Sequence, residues 1–316
     1  MNKFKIYITQ RLRPVIACEY REKIDKHKVT SKCVKLVYMI MLFIKNMPKV
    51  MEVICNKKLA ISYMELVSTT RCSLRCRYCS NLIQYYNHDN KKAYDSDLQT
   101  NVRAVKNLLR VVNTINEFCV LGGEPLLYGK LYELLAFLDS CAQIKTITIT
   151  TNGTITIADD NILELLKKEK FCVRISNYGQ VSKNISLLKE QLEDNRIKFI
   201  EVFADDDWID CGDMHKRDRS AEELRLQYKR CGTSCRSLIN GELHTCFRSS
   251  HGMDLGLIPK TQSEFVDLLD EGLTEAELYK AVKRVVFQRE YVEACDYCDL
   301  GIMPVKYVPP GLQMKG

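Results

Sequence analysis

Between residues 58 and 205 the chain alternates two hydrophobic periods. Short β-branched runs, many with an apolar residue at every second position, predict strands over Ala60–Ser68, Glu117–Leu121, Lys145–Thr151, Phe171–Ser176 and Ile197–Ala204. Apolar residues spaced by three and four predict helices over Asp97–Val112 (Leu98, Val102, Val105, Leu108, Leu109, Val112), Leu131–Cys141, Ala158–Lys170 and Ser182–Asn195. Ser96 or Asp97 supplies the cap of the first helix. Strands that alternate with helices of this length predict βαβ units and a parallel sheet. Five or six strands are too few for a closed eight-stranded barrel.

After Asp205 the rhythm breaks. Asp205–Arg219 is polar, and Ser220–Arg230 is a short helix opened by a capping box of Ser220 and Glu223. Ser237–Cys246 reads as a hairpin turning at Asn240-Gly241. Helices are expected over Gln262–Leu269 and Glu275–Arg289, and a loop over Asp299–Gly316. Residues 1–57 form a basic extension containing Val34–Ile44, which is apolar apart from Lys35 and too short for the roughly 20 residues a membrane span needs. The extension packs on the domain behind it, binds a partner, or rests on an anionic membrane surface as a peripheral contact.

Charge follows the same division. Residues 1–60 hold 14 Lys and Arg against 4 Asp and Glu, so the net +7 of the chain is an N-terminal property. The remainder is near neutral, which argues against nucleic-acid binding by the body of the protein. Apolar residues make up 46% and charged residues 28%, a globular composition. The 15 cysteines are an odd number in a chain able to bury an ordinary core. Met1–Gln10 lacks the pattern of a signal peptide. A reducing cytoplasm with thiolate-bound metal is the expectation.

Two cysteine constellations carry the chemistry. Cys72, Cys76 and Cys79 are spaced C-x3-C-x2-C in the loop after the first strand, among Arg71, Arg75 and Arg77. Ligand sites of parallel α/β sheets form at the carboxyl ends of strands. Zinc wants four ligands, whereas three thiolates suit a [4Fe–4S] cluster with one iron left open. Further on, Gly122-Gly123-Glu124-Pro125 follows a short strand, where glycines let backbone approach a ligand closely.

This triad, with the aromatic Tyr78 before its third cysteine and the GGEP turn behind it, resembles the signature of radical SAM enzymes. The resemblance covers about residues 60–205. It implies an α/β fold, a partial (β/α)6 TIM-like barrel, with S-adenosylmethionine (SAM) bound through its amino and carboxylate groups to the open iron. It further implies that Gly122, Gly123, Glu124 and Pro125 hold the methionine ammonium. The polar strand ends Thr150, Thr151, Asn152, Ser176 and Asn177 are placed where related enzymes contact SAM.

The second constellation is Cys231-x3-Cys235-x10-Cys246, then Cys295-x2-Cys298. It resembles the SPASM/Twitch pattern in its shorter Twitch form, which implies one auxiliary [4Fe–4S] cluster. Cys246, Cys295 and Cys298 are three ligands, and the fourth is Cys231 or Cys235. A zinc site could use the same residues. The remaining cysteines, Cys18, Cys33, Cys55, Cys119, Cys141, Cys172 and Cys211, read as packing thiols, with facing the active site as the alternative for Cys211.

The expected organisation is a basic N-terminal extension (1–57), a radical SAM core (58–210) and a small auxiliary-cluster domain (211–316). The resemblance implies reductive cleavage of SAM, supported by a flavodoxin- or ferredoxin-type electron donor, to a 5′-deoxyadenosyl radical. That radical abstracts a hydrogen atom from a carbohydrate- or cyclitol-like substrate, giving oxidation or epimerisation. Whichever of Cys231 and Cys235 is not a ligand is a candidate hydrogen donor. The alternative is radical modification of a ribosomally made peptide. The acidic segment Ala204–Lys216 and an inward-pointing Glu65 are the expected polar contacts of the substrate.

Overall fold

The computed structural model describes residues 58–87, 92–203, 208–232 and 235–314. The expectations for residues 1–57, including membrane contact and the roles of Cys18, Cys33 and Cys55, lie outside these residues. No described helix is long and apolar enough to cross a membrane.

The first half of the chain follows the predicted alternation. Strand β1 (Leu59–Thr69) is followed by α1 (Leu98–Val111), β2 (Val112–Gly122), α2 (Leu131–Ser140), β3 (Ile144–Thr151), α3 (Asp160–Leu166), β4 (Phe171–Asn177), α4 (Ile185–Asp194) and β5 (Phe199–Phe203). Helix α1 is capped by Asp97, whose side chain accepts from Thr100 N at 2.7 Å. Strand β2 starts five residues earlier than predicted and runs straight on from α1. Asn113 and Thr114 disguise it in the sequence, yet Val112 and Ile115 are buried and pair with β1.

The C-terminal half adds β6 (Trp208–Ile209), α5 (Ala221–Cys231), β7 (Arg236–Ile239), β8 (Glu242–His244), α6 (Phe247–Asp254), β9 (Phe265–Asp267), α7 (Glu275–Phe287) and β10 (Tyr307–Val308). The Ser220–Glu223 capping box and the hairpin at Asn240-Gly241 form as expected. Two expectations are corrected. Gln262–Leu269 is not a helix: after one turn at Gln262–Glu264 it extends as β9, with Leu243 opposite Val266. Pairing with the β8 edge wins because Phe265 and Val266 then bury on opposite sides, Phe265 against His244 and Val266 in the main core. Helix α6 was not foreseen, because Arg248, Ser249, Ser250 and His251 are buried polar residues that leave no apolar stripe.

One eight-stranded sheet in the order β5-β4-β3-β2-β1-β7-β8-β9 runs through the molecule. The strands from β5 to β7 are mutually parallel, which gives the six parallel strands of a partial barrel, and β8 and β9 continue antiparallel. The C-terminal residues therefore share a sheet with the first strand.

Alternation along each strand sorts its side chains to two faces. Met64, Leu66, Phe118, Val120, Ile147 and Ile149 belong to the core beneath α1, α2 and α3. Tyr63, Val67, Cys119 and Leu121 face the other way, toward the interior that the sheet curls around.

Candidate active site

The triad loop is held by the GGEP turn. Gly123 N donates to Thr69 O and Glu124 N to Arg71 O, both at 2.8 Å. Gly122 has φ +148°, and a Cβ there would lie 2.0 Å from Thr69 O. A Cβ on Gly123 would lie 2.1 Å from Arg71 O, so the loop and the turn can meet only as glycine backbone. Glu124 is fully buried and joins a third strand end: its Oε2 accepts Asn152 N at 2.8 Å and its Oε1 accepts Leu126 N at 3.2 Å. Burial pushes this carboxyl up to about 7 against those hydrogen bonds.

N–H groups converge on the three thiols. Asn152 Nδ2 donates to Cys72 Sγ at 3.6 Å, Leu74 N to Cys72 Sγ at 3.4 Å, and Gln313 Nε2 to Cys76 Sγ at 3.3 Å. Backbone N–H groups of Ile83 and Asn81 serve Cys79. Burial nevertheless pushes Cys72 up to about 12, Cys76 to about 11 and Cys79 in the same direction, and the mutual proximity of the thiols adds to the rise at Cys72 and Cys76. Such thiols ionise only when a metal centre takes the charge. Among the described residues no three His, Cys, Asp or Glu side chains converge as the ligands of a single metal ion would. Three neighbouring thiols, N–H donors aimed at sulfur and a glycine cradle suit an anionic iron–sulfur cluster.

The other strand-end residues divide. Asn152 also donates to Ser73 Oγ at 3.1 Å and stays at the triad. Burial raises the Tyr178 pKa and the charges of all three nearby thiols add to the rise, and its ring packs edge-on to Trp208 at 5.2 Å. Asn177 turns away, donating to Glu201 at 2.7 Å, and the Ser176 carbonyl accepts from Ser182. Tyr78 and Cys79 line a cleft of about 600 Å³, with Cys211, Arg248 and Asp299 from the C-terminal half opposite.

The second constellation also gathers. The charges of Cys231, Cys246, Cys295 and Cys298 perturb one another. Cys246 is the N-cap residue of α6; burial pushes its thiol up to about 12, and the nearby backbone N–H groups of Ser249 and Arg248 offset part of the rise. The Cys295–Cys298 knuckle is pinned from outside. Arg219 Nη1 and Gln227 Nε2 each donate to both Cys295 O and Cys298 O, at 2.7–3.1 Å. Cys211, Arg219 and Gln227 extend this site beyond the five cysteines. Cys211 and Arg248 lie close to Cys298 and bring its thiol down to about 7 against burial. Neither Arg219 nor Gln227 stands out in the sequence.

Cys235 borders both regions, since the charge of Cys246 also reaches it. It meets Glu65, on the inner face of β1. Glu65 is 6% exposed; Tyr63 donates to its Oε1 at 3.1 Å and its Oε2 has no hydrogen-bond partner. Burial pushes Glu65 up to about 7, and the neighbouring Cys235 thiol and Tyr63 hydroxyl offset part of the rise. The same face carries Glu117, which accepts from Thr148 and Arg174 at 2.8 Å, and a contact of 3.2 Å between Cys119 Sγ and Thr150 Oγ1. Of the acidic segment, Asp210 pairs with Lys306 at 2.7 Å and Asp213 with Arg217 at 3.3 Å, both on the rim of the cleft. Residues 204–207 lie outside the described part.

A sequence model of the Radical SAM superfamily matches residues 66–183. GTP 3′,8-cyclase of Clostridium acetobutylicum is 34% identical over 137 residues, which is 40% of this chain and 41% of that one. The enzyme of the same name from Clostridium perfringens is 25% identical over 189 residues, 54% of this chain and 52% of its own. The chain thus spans about half or less of these relatives. Among solved structures, native anSMEcpe with bound AdoMet is similar at a TM-score of 0.48 and 14% identity, covering 75% of this chain and 84% of that one. BtrN in complex with AdoMet and 2-DOIA gives a TM-score of 0.44 at 14% identity, covering 77% and 94%. The family match falls on the stretch that holds the cysteine triad and its glycine cradle, and residues 66–183 are a radical SAM domain.

Proposed function

We propose that this chain is a radical SAM oxidoreductase or epimerase acting on a carbohydrate- or cyclitol-like carbon. The observation that supports this substrate class most is the polar inner face of the sheet. Tyr63, Glu65, Glu117, Thr148 and Arg174 form a layer of hydrogen-bonding groups where an apolar barrel interior would otherwise lie. A polyol or amino sugar can satisfy such groups, including the unpartnered Glu65 Oε2.

Cys72, Cys76 and Cys79 would hold the SAM-binding [4Fe–4S] cluster, and the Gly122–Pro125 turn with Asn152 would hold SAM. Together these groups, when bound, supply a 5′-deoxyadenosyl radical. Cys231, Cys246, Cys295 and Cys298 would hold an auxiliary Twitch-type [4Fe–4S] cluster capable of one-electron transfer, which leaves Cys235 as the fifth thiol. A flavodoxin- or ferredoxin-type donor and a reducing compartment such as the cytoplasm complete the requirements.

The chain's own groups divide the two outcomes. Conversion of an alcohol carbon to a ketone requires removal of the hydroxyl proton, and Glu65, held near neutrality by burial, is a base of suitable strength. Epimerisation requires return of a hydrogen atom, and the Cys235 thiol beside Glu65 is the donor in reach of the same face.

The test offers site-specifically deuterated cyclitols and amino sugars to the anaerobic enzyme with SAM and a reductant. Deuterium in 5′-deoxyadenosine, with a ketone or inverted product, supports the reading. Turnover of peptides with no transfer from any cyclitol or sugar refutes the substrate class and moves the chain to peptide maturation.

A further inference from the structure

The sequence reads Asp299–Gly316 as a plain loop, yet residues 311–314 run antiparallel along the triad loop, joined to it by an isolated bridge. Arg77 N donates to Leu312 O at 2.7 Å, Met314 N donates to Arg75 O at 2.9 Å, and Cys76 and Gln313 are bridge partners. Gly311 permits the approach: its φ is +66°, and a Cβ there would lie 2.7 Å from the Tyr178 side chain.

The Gln313 side chain is committed at both ends. Its Oε1 accepts Arg75 N at 2.7 Å, and its Nε2 donates to Gly311 O at 2.6 Å and to Cys76 Sγ at 3.3 Å. Because Arg75 N can only donate, the amide oxygen must face it. The NH2 group must then face the sulfur. Cys76 is 8% exposed, so little water competes for that sulfur. Hydrogen bonds to cluster sulfurs help set reduction potentials, since a donor favours the more negative, reduced state.

We propose that Gln313 is a positioning residue for the SAM-cleaving centre. Its Nε2–H···Sγ bond to Cys76 raises the reduction potential of the cluster held there, and residues 311–314 keep that donor in place. This rests on the assignment of Cys72, Cys76 and Cys79 as cluster ligands. The role asked of the amide is electrostatic, and it is separable from holding the loop.

The test uses the full chain, reconstituted anaerobically as wild type, Gln313→Leu and Gln313→Glu, with a truncation after Pro310 as a further variant. Iron is counted, and the cluster whose electron paramagnetic resonance signal changes on adding SAM is titrated against a redox buffer. Expected for Gln313→Leu is a reduced-to-oxidised ratio roughly tenfold lower at a fixed poise, equivalent to ~59 mV for one electron. Gln313→Glu, which keeps an acceptor for Arg75 N but turns a carboxylate toward sulfur, falls further. The truncation follows Gln313→Leu. Unchanged potentials in the loaded fraction of all three variants, whatever their iron content, overturn the proposal and leave a structural clamp. A wild type with no SAM-responsive cluster refutes the ligand assignment itself.

Discussion

Glu124 Oε2 accepts the backbone N–H of Asn152 at 2.8 Å, and that one bond ties the GGEP turn to the end of the third strand. Asn152 then reaches Cys72, while Gly123 and Glu124 hold the backbone of Thr69 and Arg71. The triad loop is thus fixed from two neighbouring strands, and small changes in this joint are expected to have large effects.

Gly123→Ala forces a methyl group to within 2.1 Å of Arg71 O. It is expected to destabilise the fold by about 1–3 kcal/mol and to lower iron bound at the triad. Gly129→Ala, with nothing within 4 Å of the added carbon, is the matched control. Denaturant unfolding and iron content of both variants check this; equal loss in the two would show that glycine is not required by the close approach.

Cys231 and Cys235 are separated by function in this account. Cys231→Ser is expected to lose the auxiliary iron, about four atoms, whereas Cys235→Ser keeps it and changes only the product. Iron and sulfide assays on the two variants decide between them, and loss from Cys235→Ser instead would exchange their roles.

Glu65 and Glu124 make stability depend on pH in a defined direction. Both carboxyls are raised from 4.5 to about 7 in the fold. The fold therefore binds their protons more tightly than the unfolded chain does. Their contribution is fully present below about pH 4.5 and is lost as pH rises through about 7, on the order of 3 kcal/mol for each. Urea unfolding at pH 5 and pH 8 measures the slope, and Glu65→Gln should remove roughly half of it. The same substitution should abolish the rise of ketone-forming activity through about pH 7 that a basic Glu65 requires. An unaltered pH profile would remove Glu65 from the role of base.

Gln227→Leu leaves the carbonyls of Cys295 and Cys298 with Arg219 as their remaining side-chain donor. A cost of about 1–3 kcal/mol and weaker retention of the auxiliary iron under chelation are expected. Retention equal to wild type would show that Arg219 alone suffices to hold the knuckle.

The sequence was most legible where the pattern is local. The βα alternation, the capping box at Ser220 and the Asn240-Gly241 hairpin depend on residues a few positions apart. The triad and the GGEP turn were readable for the same reason. What escaped depends on contacts between distant segments. Phe265 and Val266 become a strand only because β8 presents an unpaired edge. Buried Arg248 finds its partners in the carbonyls of Gly212, Asp213 and Tyr297. Gln313 reaches Cys76 from 237 positions away. The Gly-x4-Cys spacing leans toward Cys231 as the auxiliary ligand, but the approach of Cys235 to Glu65 just before β7 depends on packing that spacing does not show.

The most direct test of the central claim is iron, sulfide and 5′-deoxyadenosine measured together on anaerobically reconstituted protein. The intact chain and a triple Cys72/Cys76/Cys79→Ala variant are compared with SAM and a reductant. The account predicts about eight irons falling to about four, with 5′-deoxyadenosine formed by the intact chain alone. Nucleoside formation by the triple variant, or an intact chain that binds iron without cleaving SAM, would contradict it.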